Sequence, residues 1–188
     1  MNMLLTILTI LSSFLANLET KTLQSDFTIT VSEEVNAPMN YPGAIVMHGD
    51  KFRLEMFGLE AAFDGKTMYM YSAETDELTL TNPTEQELLE ANPFLYAKAI
   101  VDVCNIVEKT SQDGKQTIIT LTPKDQSIGI NRFTLRVRNA DLVPMQVEVK
   151  EGKKNTALKL TNPAFVTTPQ TYVLTPPDKE TYVNDMRL

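Results

Sequence analysis

Apolar side chains return at every second position through most of this chain, and a period of two commits the backbone to β-structure with one face against a core. In "DFTITVSEE" Phe27, Ile29 and Val31 alternate with threonines and serine, and in "KFRLEM" Phe52, Leu54 and Met56 stand opposite Arg53 and Glu55. "FTLRVR" sets Phe133, Leu135 and Val137 against Arg136 and Arg138, and "VPMQVEVKEGKKNTALKL" reads as a hairpin turning at Gly152. Tight-turn signals, Asp64-Gly65 and the polar "SAETDE", separate the segments, and strands joined by tight turns run antiparallel.

Two segments break that period. "MLLTILTILSSFLANLE" places Leu4, Ile7, Leu8, Leu11, Phe14, Leu15 and Leu18 at helical spacing. It has the length of a signal peptide, yet no Lys or Arg precedes it, and Phe14 stands third back from Ala16 where a cleavage site needs a small residue. It is therefore expected to be a retained helix, in a chain whose export signal was removed or lies upstream. In "NPTEQELLEANPFLYAKAI", Asn82 and Thr84 are candidate caps, Glu85 and Glu87 suit a first turn, and Pro93 interrupts an apolar surface of Leu88, Leu89, Phe94, Leu95 and Ala99. The expectation is a mainly β (α+β) protein: an incomplete, strongly curved antiparallel β-barrel of about eight to eleven strands, with the N-terminal helix and a mid-chain broken helix covering a hydrophobic cavity. With 188 residues, positions 1–188 are expected to form a single domain.

The composition argues against most chemistry. A net charge of −7, with Lys and Arg scattered along the chain, gives no stripe for a phosphate backbone, so nucleic acid is not an expected partner. There is one histidine, His48, and one cysteine, Cys104, so a catalytic pair would need these two to meet and a multi-histidine metal site is excluded. No glycine pattern of a phosphate loop is present, and the carboxylates at turns read as solvated. Neither a cofactor nor a metal is expected, and no catalytic residue is assigned.

The sequence is richer in soft apolar side chains. Nine methionines are present, and in "FDGKTMYMYSAETDELTL" Met68 and Met70 alternate with Tyr69 and Tyr71, offering an apolar group to both faces of one strand. A strand with water on one side needs only one apolar environment, so this strand needs a second. Phe52, Leu54, Met56, Met68, Met70, Leu78 and Leu80 from strands, with Leu11, Phe14, Leu88, Leu89, Phe94 and Leu95 from the helical segments, are the expected lining of a lipid-binding cavity. The spacing leaves open which parity of the Met/Tyr strand faces that cavity.

"GAIVMHGDKFRLEM" followed by "FDGKTMYMYSAETDELTL" resembles the strand region of the outer-membrane lipoprotein carrier family (LolA-like), above all at Asp64, Gly65, Lys66, Thr67, Tyr69 and Tyr71. "LSSFLANLETKTLQSDFTITV", "TLTPKDQ", "FTLRVRNADLVPMQVEV", "TALKLTNPAF" and "VLTPPDKETYV" follow in the family's order, so the resemblance spans nearly the whole chain, as of a divergent member. The family implies an incomplete barrel under a helical lid, and a chaperone that carries acylated lipoproteins across the periplasm of a Gram-negative bacterium. It implies an inner-membrane ABC transporter and an outer-membrane acceptor as partners, and a shuttle of this kind is most simply a monomer. The family's lid-closing arginine falls here at Met47 or His48, and the tryptophans frequent in its strands are absent. Four other readings stay open: a carrier of another lipid or glycolipid, a sensor in the same fold, a lipid-modifying hydrolase, and a structural interaction module, which would show a filled core and no cavity.

Overall fold

In the computed structural model, which describes residues 3–33, 36–125, 127, 129–168 and 170–187, the period-two segments become strands of one sheet. For residues 3–9 the backbone alone is described, so Leu4, Ile7 and Leu8 lie outside the described side chains. The chain runs α1 (Met3–Thr20), β1 (Thr22–Glu33), β2 (Asn36–His48), β3 (Lys51–Met56), β4 (Leu59–Phe63), β5 (Met68–Ser72) and β6 (Glu77–Thr81). It continues with α2 (Glu85–Ala91), α3 (Pro93–Ile100), β7 (Cys104–Thr110), β8 (Gln116–Pro123), β9 (Arg132–Arg138), β10 (Pro144–Glu151), β11 (Lys154–Val166) and β12 (Tyr182–Asp185).

The strands lie in the order β12-β6-β5-β4-β3-β2-β1-β11-β10-β9-β8-β7, antiparallel except where β12 pairs parallel with β6. The two ends do not meet, so the sheet is open, as expected of an incomplete barrel. Among the described residues twelve strands form, more than the alternation suggests. The least announced is β4, "LEAAF", because Ala61 and Ala62 have little strand preference and the segment reads as a lead-in to the Asp-Gly turn.

The helices show how far the sheet curls. Leu11 of α1 lies at Glu108 on β7, while the Leu18 carbonyl accepts a hydrogen bond from Gly49 N just beyond β2 at 2.8 Å. Those two contacts are seven residues apart on the helix, about 10 Å, but six strands apart in the sheet, about 29 Å if it were flat. The sheet therefore wraps around the helices, and its concave face carries the main core: Leu23, Phe27, Ile45, Met47, Phe52, Phe63, Met68, Ile119, Phe133, Leu135 and Leu158 against Leu11, Phe14, Leu18, Phe94, Ala97 and Ile100. Phe14 and Phe94 meet at 6.2 Å between ring centroids, and Tyr96 reaches Phe133 at 6.3 Å. Gly43 lets Phe27 fold across β2: a Cβ there would collide with the Phe27 ring and stand 2.5 Å from the Glu55 carbonyl oxygen.

Local chemistry ends the helices where they end. Thr84 and Glu87 form a reciprocal capping box at the start of α2. Asn92 is both the last cap of α2 and the first cap of α3, its Oδ1 accepting from Phe94 N at 3.0 Å, and Pro93 opens α3 without sacrificing a hydrogen bond.

Candidate functional site

Register and pleat assign every side chain of β1 to β6 to one face or the other. Met68 opposes Phe63, which opposes Phe52, which opposes Met47, so these four face the helices. One residue along, Tyr69 pairs with Ala62 and Leu80, and Tyr71 pairs with Leu78, all on the convex face. The second apolar environment of the Met/Tyr strand is thus a small separate cluster of Ala62, Tyr69, Leu78 and Leu80, capped by Leu174 from the segment that returns after β11. The acidic turn holds that segment down. Asp76 accepts hydrogen bonds from the hydroxyls of Tyr71 at 3.2 Å and Thr181 at 3.0 Å, and its carbonyl accepts from Tyr182 N at 3.0 Å. At the other end of β5, the Asp64 carboxylate accepts from Thr67 N, Lys66 N and the Tyr69 hydroxyl, closing the Asp-Gly turn.

The helices cover the concave face unevenly. α1 spans from Glu108 on β7 to Gly49 beyond the upper end of β2, and α3 meets β9 through Tyr96 and Phe133. Lys98 of α3 ties the cover down, bonding Glu19 of α1 at 2.5 Å and reaching Asp50 in the β2–β3 turn at 3.7 Å. Its hydrogen bond to Glu19 holds the Lys98 ammonium pKa above the ordinary lysine value. Met47, one of the two positions where the resemblance would set an arginine, is buried in the core, and the polar tether of the cover is Lys98.

The lower ends of β2 to β5 are left open. Met39 is 53% exposed, Phe57 63%, Leu59 52% and Met70 49%, an unusual exposure for four large apolar side chains that the fold gathers at one end. Tyr41 joins them, its ring edge-on to Phe57 at 5.4 Å and its hydroxyl 3.2 Å from the Met39 sulfur. Behind them, Leu54 and Met56 are half-buried and continuous with the main core. The result is an apolar ledge, part core and part open surface, rich in methionine.

The expected lining residues divide three ways. Phe52, Met68, Leu11, Phe14 and Phe94 are packed inside the concave core, with Leu54, Met56 and Leu88 at its border. Met70 stands on the ledge, Leu89 is half-buried on α2, and Leu95 borders a hollow of about 10 Å³ beneath α1 and α3, room for about one water. Leu78 and Leu80 point the other way, into the Tyr69 cluster, and are not brought together with the rest. A larger cleft of about 330 Å³ opens at the bulge between Gln24 and Asp26, walled by these and Asn162 and by Ala44, Val46, Ala164 and Val166, and register sets it on the convex face, away from the ledge. The sequence reading missed Met39, Tyr41, Phe57 and Leu59. A signal was there, since "MFGL" puts Phe57 and Leu59 around Gly58 in a turn where polar residues are the rule.

Among the described residues no constellation for catalysis converges on the ledge. His48 ends β2, with Nδ1 3.4 Å from the Thr22 hydroxyl, and burial raises the Cys104 thiol pKa above its ordinary value, which disfavours the thiolate. Among the described residues no group of three or more His, Cys, Asp or Glu could hold a metal ion, and no helix is long and apolar enough to cross a membrane.

Fold and surface together define a class: an open antiparallel sheet curled around its helices, with part of its apolar concave face accessible to solvent. The chain belongs to the family of the outer membrane lipoprotein carrier protein LolA, whose family model matches residues 18–173. Among solved structures, an uncharacterized conserved protein from Thermus thermophilus is similar, with a TM-score of 0.62 and 16% identity over 94% of this chain and 97% of that one. The MucA/MucB complex of Pseudomonas aeruginosa matches with a TM-score of 0.52 and 14% identity, over 86% of this chain and 58% of that chain. At such identities the likeness establishes the fold alone. No curated protein matches the sequence.

Proposed function

We propose that this protein is a periplasmic carrier that shields the acyl chains of lipoproteins on the concave face of its sheet and performs no bond chemistry. The observation that carries this reading is the ledge of Met39, Phe57, Leu59 and Met70, exposed yet continuous with the core through Leu54 and Met56. Each CH₂ of an acyl chain laid there leaves water with a gain of about 0.8 kcal/mol, and flexible Met side chains can follow chains of different shape. The interior behind the ledge is filled, so a whole chain needs more room than the resting form offers. α2 is the element to give it. It contributes no fully buried residue and rests on the core through Leu88 and Ala91, whereas α1 is anchored by Leu11, Phe14 and Leu18. Loading from an inner-membrane ABC transporter and release to an outer-membrane acceptor, in a Gram-negative periplasm, follow the family's role.

The test is titration of the purified protein with a fluorescent fatty acyl probe. Wild type is expected to bind, and Leu59→Glu or Met70→Glu to weaken binding about tenfold or more, since each sets a charge against the alkyl chain. Both positions are exposed, so the thermal melt stays near that of wild type. Folded wild type that binds no probe, or variants that bind as well as wild type, would overturn the reading. Mass spectrometry of lipids that co-purify then separates a lipoprotein cargo from a glycolipid.

A further inference from the structure

The convex face is electrostatically divided. Residues 132–160, which make β9, β10 and most of β11, hold seven of the 17 basic residues but only three of the 24 acidic ones, a local charge of +4 against −11 for the remainder. Register puts the cations on one side. Lys109 opposes Ile118, Ile118 opposes Arg136, Arg136 opposes Gln146 and Gln146 opposes Lys159, which gives one row of three cations across five strands. Arg132 and Lys150 face each other directly two steps further down, past Thr134 and Glu148. Like charges in that arrangement repel, which a fold tolerates at some loss of stability. Among the described residues none of the five is in an ion pair, and the Arg136 Nε is buried without a hydrogen-bond partner. The acid among them, Glu148, is occupied by Gln146 Nε2 at 2.6 Å.

We infer that this convex face of β7 to β11 is a docking surface for an anionic lipid membrane. A protein partner would need aromatic or aliphatic anchors at its centre. Here the residues between the cations are Thr120, Thr134 and the half-buried Ile118, and the exposed apolar side chains Val103 and Val107 lie at the β7 edge. A headgroup layer needs only unpaired cations within a screening length, and each Lys or Arg near such a surface strengthens attachment about fivefold. The inference concerns the face opposite the ledge and does not depend on an acyl chain being carried.

The experiment is co-sedimentation of the full chain with vesicles of phosphatidylcholine, and of phosphatidylcholine with about a third phosphatidylglycerol, at about 0.1 M salt, where screening reaches only ~10 Å and hides the acidic remainder. Binding is expected to the anionic vesicles alone. Arg136→Gln with Lys159→Gln should lower the partition coefficient about 30-fold, while Lys66→Gln, in the Asp-Gly turn, leaves it unchanged. The melting temperature of each variant shows whether it is folded. Equal binding to both vesicle types, or a folded double variant that binds as wild type, overturns the inference. Capture by a poly-glutamate peptide with no vesicle binding also overturns it, in favour of an acidic protein partner.

Discussion

Glu108 sits at an apolar place for a carboxylate: it opposes Ile119 on β7's concave side, against Leu11 of α1, and its Oε1 is buried without a hydrogen-bond partner among the described residues. Burial raises its pKa above the ordinary glutamate value, and the Leu11 backbone N–H pulls the other way by favouring the charged form. With the folded value above the unfolded one, the native state binds more protons between the two, so this group's contribution is complete below the unfolded pKa and is lost as pH rises through the folded one. Glu108→Gln keeps the shape without the charge and is expected to raise Tm at pH 7 by about 1–2 °C, since the carboxyl is only partly buried, with the gap closing near pH 4. Thermal melts at the two pH values decide it, and a lower Tm at pH 7 would mean that the Leu11 contact outweighs burial. An inward carboxylate on an edge strand also discourages pairing with another sheet. The sequence conceals this role, because "NIVEKT" shows Glu108 as one more polar residue and its neighbour on α1 lies almost a hundred positions away.

Helix α2 is the element whose attachment the proposed function depends on. Its capping box contributes about 0.5–2 kcal/mol to the helix, in a segment that buries nothing fully. Thr84→Ala is therefore expected to speed amide exchange across residues 85–91 about tenfold while leaving exchange in β8 and β9 unchanged, as read by hydrogen-exchange mass spectrometry. If the core strands lost protection by the same factor, α2 would be opening only with the whole domain and could not serve as a cover. The elements themselves were largely legible: the strands from their period of two, the broken helix from Pro93 and the acidic first turn. The boundary details were not. Asn82 and Thr84 were equal candidates for the cap until Glu87 turned back to Thr84, and nothing in the sequence marks Asn92 as the buried hinge shared by α2 and α3.

At the scale of the molecule, one sheet serves two apolar compartments, and the Met/Tyr alternation of β5 records that. The sequence shows that both faces of this strand are apolar, but its parity depends on which face the helices choose and on Leu174, about a hundred residues away, arriving over the other. Leu174→Ala removes the cap of the convex cluster and is expected to cost about 2–3 kcal/mol, toward the lower end for a buried leucine because the cluster lies near the sheet edge and can partly close up. Denaturant unfolding measures that cost. Acyl-probe affinity of the folded fraction should stay at the wild-type value, because Tyr69, Tyr71, Leu78 and Leu80 are separated from Met68 and Met70 by the sheet itself. Should Leu174→Ala leave stability intact yet change probe affinity several-fold, the lipid would lie against the tyrosine face, and the segment after β11, rather than α2, would be the part that moves to admit it.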